Sequence, residues 1–311
     1  MKLNTYQMWG CTDTHGWTDE ERLAEVAKRD RVVFTEHWPD SVTPAAIKAL
    51  NPQAKVYRWY TLMAALDWDS LAKRQYPLSS ATIDAMDAWL RDADGRTVCE
   101  PTGNIRFIDI GHPGLAKLYT DEVLKRVAGK GFDGVGFDYI IPDFLREWPI
   151  EQFGYRWPVR GYLTNADWYA RAFQPFLSTL SSALRAAGYK VLLNFEAQAG
   201  CGNEAADWTV AQGDAFILER FFVNYDGSWL SEAEIKRNIL RLRSDPHELW
   251  VAESGVRRAT PDFAVKRGVS HTLFDQARRT RLRGAGNRFW NYYGNGDVWP
   301  VSEAPHWLPE A

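Results

Sequence analysis

The chain has 311 residues, 45% of them hydrophobic, and its 37 basic against 40 acidic side chains leave a formal net charge of −3. That length fits one large barrel or two modest domains, and the charge balance excludes the basic face a nucleic-acid footprint needs. No apolar run reaches the length of a membrane span. The opening Met1-Lys2-Leu3-Asn4-Thr5-Tyr6 leads straight into a strand-like stretch, which predicts no signal peptide. Cys11, Cys99 and Cys201 lack CxxC spacing and are odd in number, so free thiols in a reducing compartment are expected. The expected location is cytoplasmic, or outside by release without a signal peptide, as in a virion-associated protein.

Strand and helix signals alternate along the chain. The strand candidates are Tyr6–Gly10, Arg31–His37, Lys55–Leu62, Gly134–Ile140, Lys190–Glu196, Ala215–Phe221, Glu248–Glu253 and Arg288–Tyr293. Between them lie helix starts. Thr18-Asp19-Glu20-Glu21 and Ser231-Glu232-Ala233-Glu234 have the form of capping boxes, and Thr43-Pro44 sets proline at a first helical position. Leu115, Leu118, Val123, Leu124 and Val127 form an apolar stripe closed by Gly129. A longer helix opens at Asn165 and stops at Gly188, with a kink expected at Pro175. Eight strands with intervening helices predict an α/β chain, a single (β/α)8 barrel over residues 1–311. Two excursions interrupt the rhythm: 63–111 after the third strand and 141–164 after the fourth. In such a barrel both would be insertions on the active-site face.

The run Gly131-Phe132-Asp133-Gly134-Val135-Gly136-Phe137-Asp138 is the most telling segment. Alternation puts Gly134, Gly136 and Asp138 on one face and Val135 and Phe137 on the other. The glycines then leave room near a barrel axis, and the acid stands at the carboxyl end of the strand. Asp214-Ala215-Phe216-Ile217-Leu218-Glu219 repeats the pattern with Glu219 at its end. Other strand ends offer Glu36, Glu196 and Glu253. The first strand runs on to Asp13 and His15, and the eighth carries Asn291. For Glu36 or Glu253 taken singly, a salt bridge or a helix cap is the competing explanation. Asp138 and Glu219 stand on strands of the same parity, and a facing pair of carboxylates is what glycosidic bond cleavage requires.

Three segments in order, Trp89-Leu90-Arg91-Asp92-Ala93-Asp94-Gly95, Ile108-Asp109-Ile110-Gly111-His112-Pro113 and the Gly131–Asp138 run, carry a resemblance. The chain resembles glycoside hydrolases of TIM-barrel type, in particular the group called hypothetical glycosyl hydrolase 15. These are related to alpha-galactosidases and endo-alpha-1,4-polygalactosaminidases. The layout covers most of the chain, and the specific motifs cover about a fifth of it. The resemblance implies that Asp138 is the nucleophile and Glu219 the general acid/base of a retaining mechanism; the residues alone, which do not give the separation of the pair, leave an inverting mechanism open. The aromatic insertion departs from the better-known relatives.

The remaining signals suit a carbohydrate ligand. There are 15 tryptophans, and flat rings beside polar groups match the apolar faces of sugars, although each ring can equally anchor a loop. Trp38, Trp68 and Trp148 are the candidates for stacking. Asp13, His15, Glu36, Tyr60, Glu196, Glu253 and Asn291 are the candidates for holding hydroxyls. The six histidines form no His-x-His or His-Glu-x-x-His pattern, so neither metal nor organic cofactor is expected. A rival from another class is a carbohydrate-binding protein on a catalytically degenerate barrel, as in a virion or surface assembly. It needs the aromatic rings but not two opposed acids.

Overall fold

The computed structural model describes residues 5–7, 18–28, 31–34, 41–66, 76–99, 105–142, 144–147, 154–194, 203–218, 231, 233, 248–251 and 289–292. Its elements in chain order are β1 (Thr5–Gln7), α1 (Asp19–Val26), β2 (Arg31–Phe34), α2 (Pro44–Leu50), β3 (Lys55–Thr61), β4 (Ala64–Leu66), α3 (Ser80–Ala85), β5 (Ile105–Phe107) and α4 (Leu115–Val127). There follow β6 (Gly134–Asp138), α5 (Phe144–Glu147), α6 (Asn165–Trp168), a π-helical turn (Tyr169–Phe173), α7 (Gln174–Ala186), β7 (Lys190–Asn194), α8 (Asn203–Ala211), β8 (Ala215–Leu218), β9 (Glu248–Val251) and β10 (Phe289–Tyr292).

Eight of these strands form a curled, wholly parallel sheet in the order β1-β10-β9-β8-β7-β6-β3-β2, with β1 pairing to both β2 and β10. Each overlaps one of the predicted strands. The class is α/β, with helices packed on the outside of the sheet. Val26, Val32, Phe34, Ile47 and Val56 make one core under α1 and α2. A larger core runs from Val135, Phe137, Val191, Leu193 and Phe216 on the sheet to Tyr119, Val123, Phe176, Leu180 and Leu184 on α4 and α7.

Local chemistry explains the helix ends. The Glu21 amide donates to Thr18 Oγ1 at 3.2 Å while the Thr18 amide donates to Glu21 Oε2 at 2.7 Å, the reciprocal bonds of a capping box. Thr43 caps α2 through the Ala46 amide, with Pro44 just inside. Thr164, one residue before the predicted start, caps α6 through the Asp167 amide. On α4 the buried face is Leu115, Tyr119, Thr120, Val123 and Val127, so Leu118 faces solvent rather than joining the stripe. The kink expected at Pro175 takes a specific form. Proline has no amide to donate one turn back, and the preceding turn widens to π geometry, with the Gln174 amide donating to the Tyr169 carbonyl.

The segment between β3 and α4 is an ordered excursion. β4 and β5 pair antiparallel, Ala64 opposite Phe107, and isolated bridges join Trp89 to Ile108 and Arg91 to Thr97. Its turn closes on Asp92, whose side chain is buried. Asp92 Oδ1 accepts from the Asp94 and Arg96 amides, and Oδ2 accepts from the Arg96 guanidinium. The segment after β6 is fastened to this excursion. The Arg160 amide donates to the Arg91 carbonyl, the Ala93 amide donates to the Arg156 carbonyl, and the Arg160 guanidinium pairs with Asp87 and Asp109. The two excursions pack as one unit.

Candidate active site

β6 pairs with β3 on one side and β7 on the other, and the register puts Thr61 beside Asp138. The two faces separate cleanly. Val135 and Phe137 sink into the outer core, while Gly134 and Gly136 turn inward beneath two rings of β3. A Cβ on Gly134 would stand 2.6 Å from the Lys190 carbonyl and against the Tyr57 ring. One on Gly136 would stand 2.7 Å from Trp59 Cζ3. The glycines therefore make space for Tyr57 and Trp59, and Asp138 continues the same inward row at the carboxyl end.

Three neighbours fix that end. Asp138 Oδ1 accepts from Asn194 Nδ2 at 3.0 Å and from the Tyr139 amide at 2.8 Å. For the second bond the chain turns back sharply, and Tyr139 takes a left-handed φ of 59°. That conformation is uncommon for a bulky side chain and costs free energy that the surroundings must offset. The Tyr139 ring is seated edge-on against Phe107 of β5, centroids 5.9 Å apart. On the other side, the Leu62 amide donates to the Asp138 carbonyl at 3.2 Å, and the Tyr119 hydroxyl on α4 donates to the Thr61 carbonyl at 2.8 Å.

Thr61 and Asn194 belong to this mouth, and neither was among the sequence candidates. Asn194 was legible in principle. It shares parity with Leu192, whose side chain contacts the inner face at Gly136, and it is the first polar residue after a buried Val191-Leu192-Leu193 run. A search for acids passes over it to Glu196. Thr61 enters only through register, which no single strand reveals.

Tyr60 requires correction. It lies one residue out of phase with the inward row, 1% exposed, in the outer core with Phe137 and Tyr119. Burial raises its hydroxyl above the ordinary value, against the opposing pull of Arg58. It is a core side chain and does not face the mouth. Asn291 is placed by its backbone, opposite Val251 and Thr5. Asp13, His15, Glu36, Trp38, Trp68, Trp148, Glu196, Glu219 and Glu253 lie outside the described residues. Among the described tryptophans, Trp59, Trp89 and Trp168 are fully buried core rings.

Asp109 is the other buried carboxylate of note. Tyr162 Oη donates to its Oδ1 at 2.9 Å, the Gly111 amide at 3.2 Å, and Arg160 Nε lies 3.4 Å from Oδ2. Burial pushes its carboxyl above the usual range, more than these partners draw it down. It sits where the two excursions meet, and its contacts fasten them. Among the described residues, no group of His, Cys, Asp and Glu is arranged to hold a metal ion, and no helix is long and apolar enough to cross a membrane.

No protein-family model and no curated protein matches the chain. Solved structures do. It is similar to an alpha-L-fucosidase isoenzyme 2 from Paenibacillus thiaminolyticus, with a TM-score of 0.55 at 12% identity over 94% of this chain and 45% of that one. It is similar to a xylosidase from Aspergillus niger, with a TM-score of 0.52 at 14% identity over 98% of this chain and 46% of that one. A maltogenic alpha-amylase from Thermotoga neapolitana gives 0.50 at 11% identity over 99% of this chain and 72% of that one. The chain thus spans less than half the length of the first two. At such identities the likeness is one of fold alone, that of a curled parallel α/β sheet.

Proposed function

We propose that the chain is a retaining glycoside hydrolase on a complete (β/α)8 barrel, one domain over residues 1–311 with both excursions on the active-site face. The observation that carries this is the Asp138 carboxylate, standing at the carboxyl end of an inward glycine row and held by Asn194 and the Tyr139 amide. In barrels, chemistry resides at that end of the strands. The fold likeness to a fucosidase, a xylosidase and an amylase supports the same reading.

In this mechanism a carboxylate oxygen of Asp138 bonds to the anomeric carbon as the glycosidic C–O bond breaks. Glu219, the residue after β8 ends, gives its proton to the departing oxygen. Water then attacks the anomeric carbon, its proton passes to Glu219, and the Asp138 ester is released as carboxylate. Asp13, His15, Glu36, Glu196, Glu253 and Asn291 remain proposed hydroxyl contacts, and Trp38, Trp68 and Trp148 proposed stacking surfaces. Thr61 and Asn194 join the mouth.

The test is a panel of aryl glycosides and natural glycans of both anomeric configurations against the purified protein. Asp138→Asn keeps an acceptor oxygen for Asn194 and Tyr139 but removes the nucleophile. Hydrolysis should fall by at least about 10³-fold, since the covalent step is lost, with the melting temperature nearly unchanged. Activity within a few-fold of wild type rejects the assignment. Glycan binding without turnover by the wild-type protein would favour the degenerate, carbohydrate-binding barrel.

A further inference from the structure

One side chain at the mouth is hydrogen-bonded directly to Asp138. Asn194 ends β7 on the inner face and is 6% exposed, walled by the sheet that places it. Its register neighbour across β6 is Asp138, because Phe137 opposes Leu193 one step earlier. The Nδ2 group donates to Asp138 Oδ1 at 3.0 Å, and the Tyr139 amide reaches the same oxygen at 2.8 Å. Two donors on one oxygen, one from β7 and one from the turn after β6, determine the rotation of the carboxylate plane and favour its charged form.

The chemistry of the amide suits that position. An aliphatic residue would extend the buried Val191-Leu192-Leu193 run, and an aspartate would set two like charges side by side. A neutral amide donates to the carboxylate without adding a charge or competing for its proton. The other inward neighbour of Asp138 is Thr61 on β3, also not ionisable, with Trp59 one layer below. Tyr60 and Arg58 leave β3 on its opposite face, by strand parity. Glu196 and Glu219 follow β7 and β8 in the chain and lie outside the described residues.

We infer that Asn194 is the positioning residue of the proposed nucleophile, setting both the orientation of the Asp138 carboxylate and the pH below which it protonates. This rests on the glycosidase reading, yet the coupling between the two side chains can be measured without any substrate.

The experiment uses the full chain labelled with 13C at aspartate carboxyls, with the Asp138 signal identified by its absence in Asp138→Asn. Titrating wild type, Asn194→Ala and Asn194→Asp gives three midpoints for Asp138. The inference expects an upward move in Asn194→Ala, where a donor to the charged form is lost. It expects a larger one, about a pH unit or more, in Asn194→Asp, where a like charge replaces it. On a substrate from the glycan panel, Asn194→Ala should lose on the order of 10²-fold in kcat with little change in KM, as misplacement of a reacting group does. The acidic limb of the pH–rate profile should shift in the same order as the midpoints.

Identical midpoints in all three proteins overturn the inference, whatever the activity. So does a fall in kcat that is uniform across pH, which is the mark of a merely structural residue. Moved midpoints in a protein that hydrolyses nothing on the panel leave the Asn194–Asp138 coupling standing and defeat the glycosidase reading instead. If Asn194→Asp does not fold, Asn194→Ala and Asn194→Ser decide, serine being expected to restore part of the midpoint through its hydroxyl donor.

Discussion

Asp109 and Asp92 carry the same functional group in opposite surroundings, and acid separates them. Burial raises the Asp109 carboxyl above the ordinary value, against the draw of Tyr162, Gly111, Arg160 and His112. Burial also works upward on Asp92, but the bonds from the Arg96 side chain and from the Arg96 and Arg156 amides hold it below the usual range. The linkage signs follow. The Asp109 contribution is fully present below the unfolded value, about 3.9 for aspartate, and is lost as pH rises through its higher folded value. The Asp92 contribution is present above that unfolded value and is lost as pH falls through its lower folded one. Asp109→Asn keeps an acceptor for Tyr162 and Gly111 and removes the charge. Its melting temperature should therefore gain on wild type as pH climbs from about 3 to about 8. A difference that stays flat across that range would show that Arg160 fully offsets the burial of Asp109.

At the scale of elements, β3 and β6 are matched halves of one inner surface: rings on one strand, glycines on the other. Gly136→Ala would press a methyl group into the Trp59 ring and should cost about 1–3 kcal/mol, the usual penalty of overpacking a filled core. Trp59→Leu, by itself cavity-forming, should be less damaging in the Gly136→Ala background than alone. Urea denaturation of the four proteins would give that coupling, and simple additivity would mean the ring relaxes without strain. This pairing was half-visible in the sequence. Period-two alternation in Gly134–Asp138 fixed which residues face inward, and runs such as Val191-Leu192-Leu193 marked the other strands, so all eight main strands were legible. The antiparallel β4–β5 pair was not: three residues apiece, two of them alanines in β4, carry little strand signal, and their pairing spans most of the excursion. Asn194 could be placed on the inner face by parity, but a search for strand-end acids passes over it, and its link to Asp138 could not be read. Its role is given by a neighbour on another strand, and a chain read alone contains no register.

Across the whole molecule, aspartates stand at both ends of β6 and just before β8. At the amino ends, aspartates act as clips. Asp133 Oδ2, just before β6, accepts from the Val56 amide of β3 at 2.8 Å and pairs with Lys48 at 2.8 Å. Asp214, just before β8, accepts from the Val191 amide of β7 at 2.9 Å and pairs with Arg185 at 3.3 Å. Each clip joins its strand to the preceding neighbour in the parallel order. At the carboxyl end Asp138 has donors too, but they orient it toward the mouth. The segment Gly131–Asp138 thus holds a structural aspartate and the proposed nucleophile five residues apart, about 16 Å along an extended strand. Stability and activity should divide between them. Asp133→Ala leaves the Val56 amide without its carboxylate and should cost about 1–3 kcal/mol in unfolding free energy, and Asp214→Ala a similar amount. Both should keep wild-type kcat in whatever fraction remains folded, because neither reaches the mouth. Asp138→Asn should do the reverse, costing less than about 1 kcal/mol while abolishing hydrolysis. Unfolding curves and single-substrate kinetics on the three variants suffice. If Asp133→Ala lowers kcat of the folded enzyme as much as Asp138→Asn does, the two ends of the sheet are not separate in function, and the location of chemistry at the carboxyl mouth is wrong.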